Sequence, residues 1–112
     1  MIEIIFFLLL GIFLGIVTGL IPGIHPNMII LTTPLIVSFD ISPVNIIVLI
    51  VSLGVTNSIV DFIPSIFLGA PDSTNVLSIL PGHRMLLLGQ GYDAVKLTVI
   101  GGIGATVLLL PL

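Results

Sequence analysis

From Ile4 to Phe39 the chain contains no Asp, Glu, Lys or Arg, and its only titratable side chain there is His25. A water-soluble domain has no place for such a run. The hydrocarbon core of a bilayer is about 30 Å thick, so a spanning helix takes roughly 20 apolar residues at about 1.5 Å each. Ile4 to Leu20 meets that requirement. A secretory signal peptide would need a basic leading segment and a small-residue cleavage site. Residue 3 is Glu and no Lys or Arg precedes the apolar stretch, so the reading is a spanning helix over approximately 2–20.

The rest of the chain is written for the same solvent. Of 112 residues, 57% are hydrophobic and 6% are charged, against about 25% charged in an ordinary soluble domain. The formal charges are Glu3, Asp40, Asp61, Asp72, Asp93, Arg84 and Lys96. This excludes a soluble enzyme, a disordered tail and a nucleic-acid binder. A net charge of -3 leaves no basic face for phosphates. With no cysteine there is neither a disulfide framework nor a thiolate metal site.

Interruptions divide the apolar sequence. Pro22, Gly23 and Pro26 end the first span. Met28 to Val37 is apolar but only about 15 Å long as a helix, half a membrane. Ser38 to Pro43 reads as a turn, with Asp40 or Ser42 as helix cap and Pro43 in the first helical position. Val44 to Ile63 is a second full span that Pro64 should kink or end. Pro81-Gly82-His83-Arg84 is expected to break a short apolar segment that starts at Val76. Ala94 to Leu112 reads as a third span, whose Gly101, Gly102 and Gly104 allow close helix packing.

The expected fold is all-α, a polytopic helical bundle in a single membrane domain, 1–112. Its spans are approximately 2–20, 44–64 and 94–112, and its broken or re-entrant half-helices approximately 21–38 and 65–93. Arg84 and Lys96 place the loop from about 80 to 96 in the cytoplasm by the positive-inside rule. The Asp40 turn then lies outside and the span from Val44 runs inward. Leu108 to Leu112 remain apolar, which is expected of the N-terminal part of a longer permease, or of a unit completed by a homo-oligomer.

Chemistry is expected at the interruptions. Irregular backbone at membrane depth is tolerated where protein or a water-filled cavity covers it, and broken helices mark binding sites in transporters. Pro22, Gly23, His25 and Asn27 are candidate substrate residues, because N–H groups at a half-helix start favour an anion. An ordinary turn at the membrane surface is the alternative. Asp61 lies within an apolar stretch, where an ionisable group faces a partner, water or an ion. Asn57, four residues earlier, shares its helical face. The two could bind a coupling sodium ion or proton. Alternatively, Asp61 reaches the headgroups and Asn57 is a packing contact. Asp72, Ser73, Thr74 and Asn75 offer oxygens for a cation or backbone N–H groups for a carboxylate, or else form a capped loop.

No catalytic order of Ser, His and Asp, no Walker loop and no Gly-x-Gly-x-x-Gly is present. Asp40 and Asp61 lack the context of an intramembrane protease, and His25 and His83 lack a third ligand for zinc. The expectation is no enzyme, no metal centre and no cofactor beyond the coupling ion.

Taken in order, three stretches form a pattern. They are Gly19-Leu20-Ile21-Pro22-Gly23-Ile24-His25-Pro26-Asn27, then Asp61 through Pro64-Ser65 to Gly69-Ala70-Pro71-Asp72, then Leu80-Pro81-Gly82-His83-Arg84-Met85 with Gly89-Gln90-Gly91-Tyr92. This pattern resembles the large membrane subunit of the tripartite tricarboxylate transporters, the TctA permease family, in its archaeal-type branch. The resemblance covers nearly the whole chain. It implies a component of a secondary-active carrier of organic anions such as di- and tricarboxylates, in a multi-pass protein of the cell membrane several times longer. It also implies a small membrane subunit and an extracytoplasmic binding protein as partners. By motif, Pro22 and Gly23 fall on the family's first Pro-Gly loop, Ser65, Pro71, Ser73, Thr74 and Asn75 in its second segment, and Gly82 in its third. The chain departs from the bacterial pattern where Pro71 is followed directly by Asp72, and where Asp61 and Phe62 replace a glycine-rich stretch. The alternative is a structural or assembly membrane protein without transport activity.

Overall fold

A computed structural model describes residues 1–24, 27, 28, 31, 41–69 and 76–109. Its helices are α1 (Ile2–Leu20), α2 (Pro43–Val60), α3 (Phe62–Leu68), α4 (Val76–Leu87) and α5 (Gly91–Leu109), and the described residues contain no strand. Three helical runs are long and apolar enough to cross a membrane: Ile2–Leu20, Pro43–Leu68 and Gly91–Leu109. The described residues are therefore all-α, with three helical runs suited by length and composition to a membrane. The middle run turns at Asp61, because Pro64 has no N–H to offer the carbonyl of Val60. The chain forms two units, Met1–Asp61 and Phe62–Leu112.

In the first unit α1 and α2 lie parallel. Asn45 donates to Glu3 at 3.3 Å near their starts, and Asn57 donates to Thr18 at 2.9 Å near their ends. Between these bonds runs a glycine stripe on one face of α1. A Cβ on Gly11 would lie 2.6 Å from the Leu49 carbonyl oxygen, and one on Gly15 2.7 Å from that of Leu53. At Gly19 it would meet the Val60 Cβ at 2.9 Å. Any larger residue would push the helices apart. This close approach matters because lipid tails are as apolar as Leu side chains, so helices in a bilayer gain little from hydrophobic burial. They gain from dispersion between closely packed atoms. Leu53 and Leu49 fill the seam, while Phe6, Leu9, Phe13, Ile47 and Val51 stay exposed, as hydrocarbon permits.

In the second unit α4 is continuous through Pro81 and Gly82, where the sequence predicts a break. Proline inside a membrane helix is tolerated when neighbouring groups cover the freed carbonyl. Here the Pro81-Gly82-His83 stretch serves packing. Gly82 is buried against Ile66, whose Cγ1 a Cβ there would meet at 3.0 Å. His83 Nδ1 lies 2.8 Å from the Ile66 carbonyl oxygen. A carbonyl only accepts, so Nδ1 carries the proton and His83 caps the last turn of α3. Ile79 and Ala94 complete the buried centre.

The turn from α4 to α5 is a Schellman motif. Gln90 N–H donates to Met85 at 2.8 Å, Gly89 N–H donates to Leu86 at 2.9 Å, and Gly89 has φ +82°. On α5, Gly101, Gly102 and Gly104 meet nothing within 4 Å. The close packing expected of them has no counterpart among the described residues.

Hydroxyls along the spans are satisfied by their own helices. Ser52 donates to Val48, Ser58 to Gly54, Thr98 to Ala94 and Thr106 to Gly102, at 2.6 to 3.0 Å. Among the described residues no buried side-chain polar atom lacks a partner. A chain in hydrocarbon must meet that condition, since water is not there to help.

Candidate functional site

Because α1 and α2 are parallel, their carboxyl ends come together, and two of the sequence motifs come with them. α1 ends at Leu20, and Ile21 turns the chain out with extended backbone, φ -98° and ψ 105°. Pro22 and Gly23 then occupy the middle of a β-turn closed by Ile24 N–H on the Ile21 carbonyl at 3.3 Å. Gly23 has φ +91°, the value a type II turn demands of its third residue, with proline favoured just before it. Both residues are exposed. The Asn27 carbonyl accepts from Leu31 N–H at 3.0 Å.

On the facing helix, Asn57 is 5% exposed and Thr18 is 6% exposed. The Thr18 hydroxyl spends its own hydrogen on the Leu14 carbonyl at 2.8 Å. It can therefore only accept from Asn57 Nδ2. This fixes the Asn57 amide and turns its Oδ1, an acceptor, away from Thr18. Asp61 caps α2, its N–H donating to the Asn57 carbonyl at 2.9 Å. It lies four residues beyond Asn57 on the same helical face and is half-buried.

Among the described residues negative potential gathers at this end, where Asp61 also has an interaction of its own. A helix carries about half a negative charge at its carboxyl end. Two such ends meet here, and Asp61 adds a carboxylate. The arrangement favours a cation. The anion-favouring N–H groups of a helix start are not found at Pro22 and Gly23, which follow the end of α1 rather than begin a helix.

Of the other expected site residues only Ser65 is among the described ones. Ser65 is buried in α3, in the second unit, at 5% exposure. His25, Asp72, Ser73, Thr74 and Asn75 lie outside the described residues. Sequence reasoning missed Thr18, the Glu3–Asn45 bond and the stripe of Gly11, Gly15 and Gly19. The four-residue spacing of those glycines was a readable signal. An open cleft of about 450 Å³ beside α1 and α2 is lined by Leu8, Ile12, Ile47, Val51 and Val55 among others. Ser52 and Thr56 also line it, and the Ser52 hydroxyl donates to the Val48 carbonyl, so the surface is almost wholly apolar.

Comparison with known proteins adds a second line. The sequence model of the tripartite tricarboxylate transporter TctA family matches residues 5–112. An uncharacterized protein of Methanocaldococcus jannaschii is 42% identical over 95 residues, which cover 85% of this chain and 24% of that protein. The chain thus spans about a quarter of the length of that relative. No solved structure matches the chain.

Proposed function

The chain belongs to the tripartite tricarboxylate transporter TctA family, and from that membership we propose that it forms part of a secondary-active carrier of organic anions such as di- and tricarboxylates. The carrier is a multi-pass protein of the cell membrane. It works with a small membrane subunit and an extracytoplasmic binding protein, and the remainder of the permease completes the solute path.

The observation that carries this reading is the polar cluster at the shared carboxyl end of two parallel spans. Asn57 is held by Thr18 at 2.9 Å and Asp61 follows one turn later. Polar and ionisable groups within spans are costly and mark ion paths. Unwound backbone and half-helix carboxyl ends coordinate sodium or protons in other secondary transporters. We assign Asn57 and Asp61 to the coupling ion, a sodium ion or a proton, and keep Asp72 as a separate candidate for a cation. For the anionic solute, His25 and Asn27 after the Pro22-Gly23 turn are one candidate set, and Ser65, Ser73, Thr74 and Asn75 of the second motif are another.

The test is a single-cysteine scan over 22–27 and 71–75 in the full-length protein, with a water-soluble thiol reagent. This part of the chain has no cysteine of its own. Labelling that citrate slows at several of these positions is the expected result. Uniform lack of reaction would mean fully packed turns and would favour a structural or assembly role.

A further inference from the structure

We infer that the corner between α4 and α5 lies at the membrane–water interface, where Arg84 and Lys96 hold the phosphates of anionic lipid headgroups. α5 has 19 residues and is therefore about 28 Å long, close to the roughly 30 Å of hydrocarbon. A span of that length puts its start, Gly91, at one face of the bilayer. Leu88, Gly89 and Gln90 separate it from α4, and Arg84 stands in the last turn of α4. Lys96 follows Gly91 by about 8 Å along the helix axis. Both cations thus lie close to the corner.

Their surroundings are apolar and open. Leu80 and Leu77 precede Arg84 by four and seven residues, and Leu88 follows it by four, so all share its helical face. The Leu88 N–H still donates to the Arg84 carbonyl at 3.2 Å, which carries the face past the end of α4. All three leucines are exposed, and so is Arg84. On α5 the exposed residues Tyr92, Lys96, Ile100 and Ile103 likewise share a face. Counted from the corner they run aromatic, cationic, apolar, the order in which a span enters a bilayer.

The two cations also lack a counterion. Asp93 is the acidic side chain of this unit among the described residues, and it forms no ion pair with either of them. A soluble anion would meet the charges and leave the leucines in water. A phospholipid meets both at once, with acyl chains over the leucines and phosphate at Arg84 and Lys96, whose long stems reach from apolar surface to the headgroups. The positive-inside rule puts this corner on the cytoplasmic side, whose leaflet carries anionic lipid. None of this depends on transport activity.

The test uses full-length protein in phosphatidylcholine vesicles, with a single cysteine at Leu88→Cys carrying a bimane. The quencher is a trace of spin-labelled phosphatidylglycerol or spin-labelled phosphatidylcholine. Both should quench, phosphatidylglycerol the more strongly. Arg84→Gln should lower that preference about fivefold, the effect of one basic group near an anionic surface, and Lys96→Gln should act in the same direction. Arg84→Lys should keep most of it. Both positions are exposed, so these variants should fold as the parent does. Quenching by neither lipid would mean that protein covers the corner, and would overturn the inference. Equal quenching by the two lipids, or a preference that survives Arg84→Gln combined with Lys96→Gln, would overturn the headgroup contact. Added inorganic phosphate should leave the preference unchanged, and its abolition would assign the cations to a free anion instead.

Discussion

Gly15 shows how much a single missing side chain can decide. A Cβ there would stand 2.7 Å from the Leu53 carbonyl oxygen, and a backbone atom cannot move aside cheaply. Gly15→Leu should destabilise the α1–α2 pair by about 1–3 kcal/mol or more, read as loss of folded protein in a detergent unfolding series. Gly54 meets nothing within 4 Å, so Gly54→Ala should leave the unfolding curve unchanged or move it slightly up. Thr18→Val removes the acceptor that orients Asn57. Bonds of this kind in a membrane protein average about 0.6 kcal/mol and reach about 1.7 kcal/mol. Thr18→Val should therefore unfold only slightly earlier than the parent while weakening ion dependence of uptake more clearly. The glycine spacing on α1 was legible in the sequence, whereas the Thr18–Asn57 bond was not. Periodicity tells which face of a helix is polar or small. It does not tell which other face it meets, and that pairing depends on register across residues far apart in the chain.

The helices themselves were more legible than their interruptions. Three apolar spans follow from length and charge alone, and α1, the run from Pro43 and the helix from Gly91 realise them. The Pro81-Gly82 stretch misled, because proline is a reliable breaker where water competes for the backbone. Inside a packed membrane unit, one lost hydrogen bond is outweighed by contact between helices. Gly82 lets Ile66 approach, and His83 caps the carbonyl of that same Ile66. Gly89, by contrast, reads plainly as a helix stop and is one, with φ +82° in a Schellman turn. Gly89→Ala should cost about 1 kcal/mol or more through left-handed backbone strain. The check is a shift of the unfolding midpoint, with Gln90→Ala as a neighbour that keeps the backbone geometry and should shift it less.

At the scale of the whole molecule, a polar cluster belongs to a carrier only if solute and ion move together. The chain covers 24% of the length of its archaeal relative, and its two units carry few titratable groups within the spans. This chain reconstituted alone should accumulate no solute, and uptake by it would show that the path is complete within these residues. The full-length protein is the proper subject. Family membership and the placement of Asn57 and Asp61 lead to one account, in which an ion held at the joined ends of α1 and α2 drives entry of a carboxylate. The most direct measurement is uptake of radiolabelled citrate and succinate into proteoliposomes of the full-length protein with its partner subunits supplied. Sodium and proton gradients are imposed separately, and Asp61→Asn is run beside the parent. The account predicts accumulation under one of the two gradients and at least a tenfold loss, on the order of 1.4 kcal/mol, in Asp61→Asn. Accumulation that ignores both gradients, or an Asp61→Asn protein that transports like the parent, would contradict it.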